Sequence, residues 1–163
     1  MLRKILIIAL LFSTSCNNRT KKYPEADQGK DIRKRFKDTA DALYQSKRYA
    51  EAIKYWDKLV LLSPDSGEYF YKRGRSHDEI SHRPDTSAIR DYLESAKRGY
   101  QQENCYFDIG LNYLFFNDSL ALIYFGKSLD INPNDQDALF WLKECKKRIS
   151  ESKGLTTMPS QHL

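Results

Sequence analysis

The sequence predicts an all-α fold, built as an array of helical hairpins. Between residues 30 and 149 the hydrophobic residues recur at helical spacing throughout. The 163 residues include only 7 Gly and 5 Pro, so the chain has few of the turn residues that a many-stranded β fold requires. A hairpin pattern also recurs with a period near 34 residues, which is typical of a solenoid. The length is that of one folded domain.

The first segment of the chain has the features of an export signal. Arg3 and Lys4 precede a continuous apolar run at residues 5–12, and the small residues 13–15 follow it. Eight apolar residues are far fewer than the ~20 that a membrane-spanning helix requires. The length and the flanks of this run are those of a signal peptide, which we place at residues 1–15.

Cys16 follows the small residues directly, and this arrangement resembles the lipobox of bacterial lipoproteins. The resemblance implies that the Cys16 thiol receives a diacylglyceryl group after export, so that the chain is anchored in a membrane by lipid. Asn17 and Asn18, rather than Asp, follow the cysteine, which in enterobacterial sorting favours the outer membrane, facing the periplasm. Ser13 stands where the lipobox usually carries Leu, so an ordinary cleaved signal peptide is the alternative.

Two polar segments flank the helical region. Residues 16–29 are polar and include Pro24 and Gly29, which predicts a flexible tether between the lipid and the domain. Residues 150–163 show no helical period, which predicts a disordered tail. The folded domain is therefore expected to span residues 30–149.

The first hairpin is predicted from two apolar stripes. In its first helix Ile32, Phe36, Ala40 and Leu43 share one face. The second helix follows a short polar turn and ends at Pro64, since proline cannot continue a helix. Its apolar face is made by Ala52, Ile53, Trp56, Leu59 and Val60.

This hairpin, repeated three times, resembles the tetratricopeptide repeat (TPR), in which a small residue on each helix marks the crossing and an aromatic residue follows. The three repeats run at about residues 33–66, 67–102 and 103–135, and residues 136–149 resemble the C-terminal capping helix of such arrays. The second departs most, with two residues inserted near His82. The positions that carry the resemblance are Ala40, Ala52 and Trp56; Gly74, Ala88 and Tyr92; and Gly110, Ala121 and Phe125.

The resemblance implies a concave groove, lined by the first helix of each hairpin, that binds a segment of another protein. Aromatic residues beside charged ones are typical of protein interfaces. The alternative for residues 107–115 is that they pack against the capping helix or the chain's own tail. The candidate partner-binding residues are Tyr44, Tyr71, Arg75, Phe107, Leu111, Leu114, Phe115 and Phe140.

No catalytic, metal or cofactor site is expected. His77 and His82 are five residues apart and do not share a helical face. The chain has no glycine-rich phosphate loop and no nucleophile elbow. Cys105 and Cys145 are interpreted as two partly buried thiols, although a pairing stays open. The net charge of +5 is too small to predict nucleic-acid binding, and no small-molecule substrate is expected.

The function predicted from these features is that of an adaptor or assembly factor, anchored to the bacterial envelope by lipid, that binds another protein. The alternative is a structural component of an envelope complex that associates with itself through its aromatic face.

Overall fold

The structure, a computed structural model, describes residues 25–81 and 83–156, and within these ranges it is all-α, as the sequence predicts. The predicted signal peptide and Cys16 lie outside the described residues. None of the helices described combines the length and the apolar character needed to cross a membrane. The seven helices are α1 (Glu25–Gln45), α2 (Tyr49–Leu62), α3 (Gly67–Ile80), α4 (Thr86–Lys97), α5 (Gln102–Tyr113), α6 (Asp118–Ile131) and α7 (Gln136–Thr156).

Six of these helices form three consecutive antiparallel hairpins, and each hairpin packs on the next. The pairs α1/α2, α3/α4 and α5/α6 coincide with the three predicted repeats, and α7 covers the exposed side of α6. Short turns separate the helices, and in some of them a side chain satisfies free backbone amides at the start of the next helix. The carboxylate of Asp85 accepts from the amides of Ser87 and Ala88 at the start of α4, and the Asn117 side chain accepts from Leu120 in α6.

Both terminal helices extend beyond the predicted domain limits. Helix α1 begins at Glu25, inside the predicted tether, since a single glycine such as Gly29 weakens a helix without ending it. Helix α7 continues to Thr156, inside the predicted tail. Once a helix is formed, each further residue adds a hydrogen bond without needing an apolar face. The hydroxyls of Ser150 and Ser152 also donate to carbonyls of the preceding turn.

The core repeats one packing unit in each hairpin. Two small residues, one on each helix, let the backbones approach, and one large aromatic side chain fills the space beside them. All the small residues that the sequence indicated are buried, and Trp56, Tyr92 and Phe125 are completely enclosed. In the third hairpin the approach is so close that a Cβ atom added to Gly110 would lie 2.7 Å from the Phe125 ring.

A buried ion pair replaces apolar packing in the second hairpin. The guanidinium of Arg73 donates to both carboxylate oxygens of Asp91, at 2.8 and 2.7 Å, and its remaining donor reaches Asp57 on α2 at 2.8 Å. Asp91 is almost fully buried. This bidentate geometry offsets the loss of hydration and ties α3 to the helices on both sides of it.

Cys105 and Cys145 are free thiols, and both are fully buried. They belong to different hydrophobic clusters, Cys105 with Tyr92 and Cys145 with Phe125. Burial raises the pKa of the Cys105 thiol to about 11 and also raises that of Cys145. The two side chains therefore act as small apolar core residues.

Replacing Gly110 with alanine should destabilise the fold, because the new methyl group would collide with the enclosed Phe125 ring. We expect Gly110→Ala to lower the free energy of unfolding by about 1–3 kcal/mol, measured by urea denaturation. The control is Gly126→Ala, also inside a helix, where no atom lies within 4 Å of the added Cβ. That substitution should raise stability by about 0.5–1 kcal/mol, and equal effects of the two would contradict the packing described.

Candidate partner-binding groove

The first helices of successive hairpins lie side by side and form one continuous surface, which we call the groove. Lys37 on α1 is 3.0 Å from the Glu68 carboxylate on α3. The hydroxyl of Tyr71 on α3 donates to Asp108 on α5 at 3.4 Å. The groove ends at α7, where the Phe115 ring, in the turn after α5, meets Trp141.

The end of the groove between α1 and α3 is charged, but its charges are paired with one another. Lys37 binds Asp41 at 3.1 Å as well as Glu68, and Lys72 binds the other oxygen of Asp41 at 3.2 Å. The hydrogen bond to Glu68, together with that to Asp41, raises the pKa of Lys37. Two cations and two carboxylates thus neutralise each other, so neither lysine is free to bind an acidic partner segment.

Tyr44, Tyr71 and Arg75, three of the predicted residues, come together in the middle of the groove. The Arg75 guanidinium lies 3.5 Å from the Tyr71 hydroxyl and 4.0 Å from Glu79, so it makes only long contacts. The Tyr44 hydroxyl donates to Glu79 at 3.5 Å. Burial, with the nearby Asp108 charge, raises the pKa of Tyr71 to about 12, so this phenol stays protonated and acts as a donor. The middle of the groove therefore presents polar side chains that are held only by long contacts.

Asp108 lies behind this region and was not identified from the sequence. Burial raises the pKa of its carboxyl to about 6, and the neighbouring Asp78 charge adds to the effect. The positive charges of Arg75 and Arg83 and the hydrogen bond from Tyr71 oppose this shift in part. A short carboxylate on a helix gives no signal in the sequence, because its burial depends on how α3 and α5 pack.

A polar network built on the buried side chains of Tyr92 and Asn112 supports the groove from beneath. Tyr92 donates its hydroxyl to Asp78 at 2.8 Å, and the Asn112 amide donates to the other Asp78 oxygen at 2.8 Å. The Asn112 side-chain oxygen accepts from the backbone amide of Asp85 at 3.0 Å. The network connects α3, α4 and α5, and so fixes the relative position of the helices that line the groove.

Three of the predicted apolar residues contribute mainly to the core. Phe107 and Leu111 are partly buried and pack on the cluster around Phe125, with the Phe107 and Phe125 ring centres 5.6 Å apart. Leu114 is only 6% exposed. For these residues the structure matches the alternative that the sequence left open, packing against the capping helix, and they offer little surface to a partner.

Phe115 and Phe140 remain exposed, and Trp141 connects them into a row of rings. Phe115 is 71% exposed and Phe140 is 55% exposed. The Trp141 ring lies edge-on to both, with centre distances of 6.5 Å to Phe115 and 5.0 Å to Phe140. We call these three residues the aromatic row. The position of Phe140 in the repeat predicts it as a binding residue, whereas nothing in the repeat pattern indicates the adjacent Trp141.

Phe115 is held in an unusual backbone conformation. Its φ of 71° lies in the left-handed region, which a bulky residue adopts at a cost of about 1 kcal/mol. Arg148 on α7 lies 4.5 Å over the Phe115 ring and makes a bidentate pair with Asp118, with both distances 2.8 Å. The Asp118 carboxylate also accepts from the Phe115 amide at 3.3 Å. These contacts keep the exposed ring in place.

Solved structures of known proteins share this fold. The sequence matches no known protein-family model and no curated protein. The first TPR domain of Spaghetti (RPAP3), bound to the HSP90 peptide SRMEEVD, is similar with a TM-score of 0.65 at 15% identity, over 74% of this chain and 94% of that chain. The TPR domain of Sgt2 from Aspergillus fumigatus gives 0.64 at 17% identity, over 86% and 89% of the two chains.

A bacterial protein is also among these neighbours. The Yersinia enterocolitica type III secretion chaperone SycD, in complex with a peptide of the translocator YopD, is similar with a TM-score of 0.63 at 17% identity, over 72% of this chain and 95% of that chain. At these identities the likeness establishes the fold. The chain is an all-α solenoid of three helical hairpins with a capping helix, and it shares its fold with these TPR domains.

The buried carboxyl of Asp108 should make stability depend on pH between about 4 and 6. Its pKa is about 6 in the folded chain, against the ordinary value of 3.8, so the folded state binds the proton more tightly than the unfolded state. The stability that this group contributes is therefore complete below pH 4 and is lost as the pH rises through 6. We expect wild type to lose about 2 kcal/mol relative to Asp108→Asn between pH 4 and pH 7, measured by urea denaturation. Parallel pH profiles for the two proteins would contradict this.

Glycine at position 115 should be tolerated by the fold, because it removes the cost of the left-handed conformation. We expect Phe115→Gly to change the free energy of unfolding by less than about 0.5 kcal/mol, since this relief offsets the lost ring contacts. The matched control is Phe116→Gly, where an exposed phenylalanine does not have positive φ. Phe116→Gly should lower the free energy of unfolding by about 1 kcal/mol. A larger loss for Phe115→Gly than for Phe116→Gly would show that φ at Phe115 is not strained.

Proposed function

We propose that this TPR solenoid is an adaptor or assembly factor, anchored to the bacterial envelope through lipid on Cys16, that binds a segment of a partner protein in its groove. The aromatic row carries the proposal. The rings of Phe115 and Phe140 stay exposed to water, at a cost in free energy that a partner would remove by covering them. Phe115 supports the proposal more strongly than Phe140, because its ring is exposed and its backbone is held in a strained left-handed conformation.

The solved relatives support a peptide ligand. The RPAP3 domain holds a peptide of HSP90, and SycD holds a peptide of YopD. Both have the fold described above, so an array of this size accommodates a segment of another protein. The groove of the present chain has the same architecture, with its apolar surface concentrated at α7.

The charges of the groove indicate which kind of segment it accepts. Lys37 and Lys72 are already bound to Asp41 and Glu68, so an acidic C-terminal peptide would have to break these pairs. The free surface consists instead of the aromatic row and of the loosely held Tyr44 and Arg75. We expect a segment that inserts one or two apolar side chains between Phe115 and Phe140 and makes polar contacts toward α3.

The proposal of a lipid anchor is based on the sequence alone. The signal peptide and the cysteine after it support transfer to the envelope, and the partner would then be a protein of the same compartment. The position before the helical domain leaves the groove free to face away from the lipid. No part of this role requires catalysis, and the described residues provide positioning and apolar surface rather than a reactive group.

Truncating the two exposed rings of the aromatic row should weaken partner binding without unfolding the chain. We expect Phe115→Ala/Phe140→Ala to weaken binding of the partner at least about tenfold, because exposed aromatic anchors each contribute more than about 1 kcal/mol to such interfaces. The measurement is recovery of the partner by a C-terminally tagged chain from the native cell, followed by calorimetry with the purified partner.

The control variant is Phe116→Ala, which removes an equally exposed ring, 64% accessible, next to the row. It should recover the partner as wild type does, and equal loss from both variants would mean that general surface hydrophobicity, rather than the row, causes recovery. If wild type recovers only further copies of itself, and ultracentrifugation shows a dimer that the double variant abolishes, the chain is a self-associating structural component instead.

A further inference from the structure

The positive charge of the chain is concentrated next to the proposed anchor. Residues 17–35 contain seven lysines and arginines against three acidic residues. Residues 36–163 contain 18 lysines and arginines against 19 acidic residues, so the rest of the domain is close to neutral. An excess of positive charge confined to one short segment indicates that this end of the molecule binds a negatively charged surface.

The described part of this segment is the beginning of α1, and most of its cations have no acidic partner. Among the residues of known position, Lys30, Arg33 and Lys34 have no carboxylate within 4.0 Å, whereas Arg35 pairs with Asp31 at 3.3 Å. That single pair is fully on the surface, where such contacts contribute little. This cluster contrasts with the groove, where Lys37 on the same helix is neutralised by two acids.

Exposed apolar side chains accompany these cations at the same end of the first hairpin. Lys58 of α2 lies 5.1 Å over the Phe36 ring of α1, which sets the register of the two antiparallel helices. One helical turn further along each helix brings Ile32 level with Leu62. Both are exposed, and Leu61 beside them is 83% accessible to solvent. This end of the first hairpin therefore carries both exposed apolar side chains and unpaired cations.

We propose that this end of the first hairpin binds the surface of the membrane that carries the anchor, through anionic phospholipid headgroups. The contact surface, which we call the hairpin tip, consists of Lys30, Ile32, Arg33, Lys34, Leu61 and Leu62. The cations bind the phosphate groups and the apolar side chains enter the boundary between headgroups and acyl chains. The inference rests on the proposed lipid anchor, because the anchor selects a bilayer as the occupant of this surface.

The length of the chain before α1 supports this occupant. Eight residues lie between Cys16 and Glu25, and even fully extended this stretch spans no more than about 30 Å. An anchored chain therefore keeps the start of α1 within that distance of the bilayer. Acyl chains give one attachment and the basic tip gives a second, which would orient the solenoid so that α7 and the aromatic row point away from the membrane.

Vesicle binding by the chain without lipid tests the hairpin tip directly. The protein is residues 16–163 carrying Cys16→Ser, which retains all seven described helices. The probes are vesicles of phosphatidylethanolamine and phosphatidylglycerol at 7:3 and vesicles of pure phosphatidylcholine, with binding measured by sedimentation at 0.1 M salt. We expect a partition coefficient at least tenfold higher on the anionic vesicles, weakened further by added salt. Equal partition into both vesicles would overturn the proposal.

Matched variants assign the binding to the tip. Lys30→Glu/Lys34→Glu should reduce the partition coefficient at least tenfold, because cations near the surface contribute roughly fivefold each. The control Lys143→Glu/Lys147→Glu makes the same charge change on exposed residues of α7 and should alter it less than twofold. Leu61→Ser should weaken binding more than Ile123→Ser, an exposed apolar residue of α6. Equal losses from the two charge variants would refute the tip as the contact.

The anchor is tested separately, so the two proposals can fail independently. Metabolic labelling with palmitate of the full chain, against Cys16→Ala, reports lipidation alone. Labelling without tip-dependent vesicle binding would keep the anchor and overturn the hairpin tip. Vesicle binding by the tip without labelling would keep the membrane contact and remove the lipid anchor from the proposed function.

Discussion

The close crossing of two helices at a pair of small residues is the constraint on which the rest of this structure depends. At Gly110 and Ala121 the helices approach so closely that the Phe125 ring is enclosed, and Ala40/Ala52 and Gly74/Ala88 play the same part in the other hairpins. The crossing fixes each hairpin, and the aromatic residue beside it fills the contact with the next one. The line of first helices that forms the groove is a consequence of this repeated geometry.

The two ends of the groove differ because their side chains are satisfied in different ways. Between α1 and α3 the charges neutralise one another, and Tyr92, Asp78 and Asn112 hold the middle from beneath. At α7 the aromatic row packs against the protein on one side and leaves Phe115 and Phe140 exposed to solvent on the other. A partner would gain little by replacing existing ion pairs and more by covering exposed rings, so the free energy of binding is expected to be concentrated near α7.

The fold could be predicted from the sequence because its determinants are local and periodic. Small residues and aromatic residues recur at fixed positions in the three repeats, and the structure places helices where they do. The limits of α1 and α7 could not be predicted from the sequence, because the absence of an apolar stripe does not prevent a helix from continuing. Contacts between side chains of different helices could not be predicted either. Lys37 binds Glu68, and Phe115 contacts Trp141, only once the hairpins have packed. Hence the repeat pattern predicts Leu114 at the surface of the groove, although it is buried.

Photo-cross-linking in the native cell, from single sites around the solenoid, shows whether a partner covers the aromatic row. A photoreactive phenylalanine at Phe115 or Phe140 should cross-link to one protein, and the same residue at Leu93 or Ile123, exposed on second helices, should not. Cross-links from Leu93 or Ile123 to that protein, with none from Phe115 or Phe140, would contradict the account and place the binding surface outside the groove.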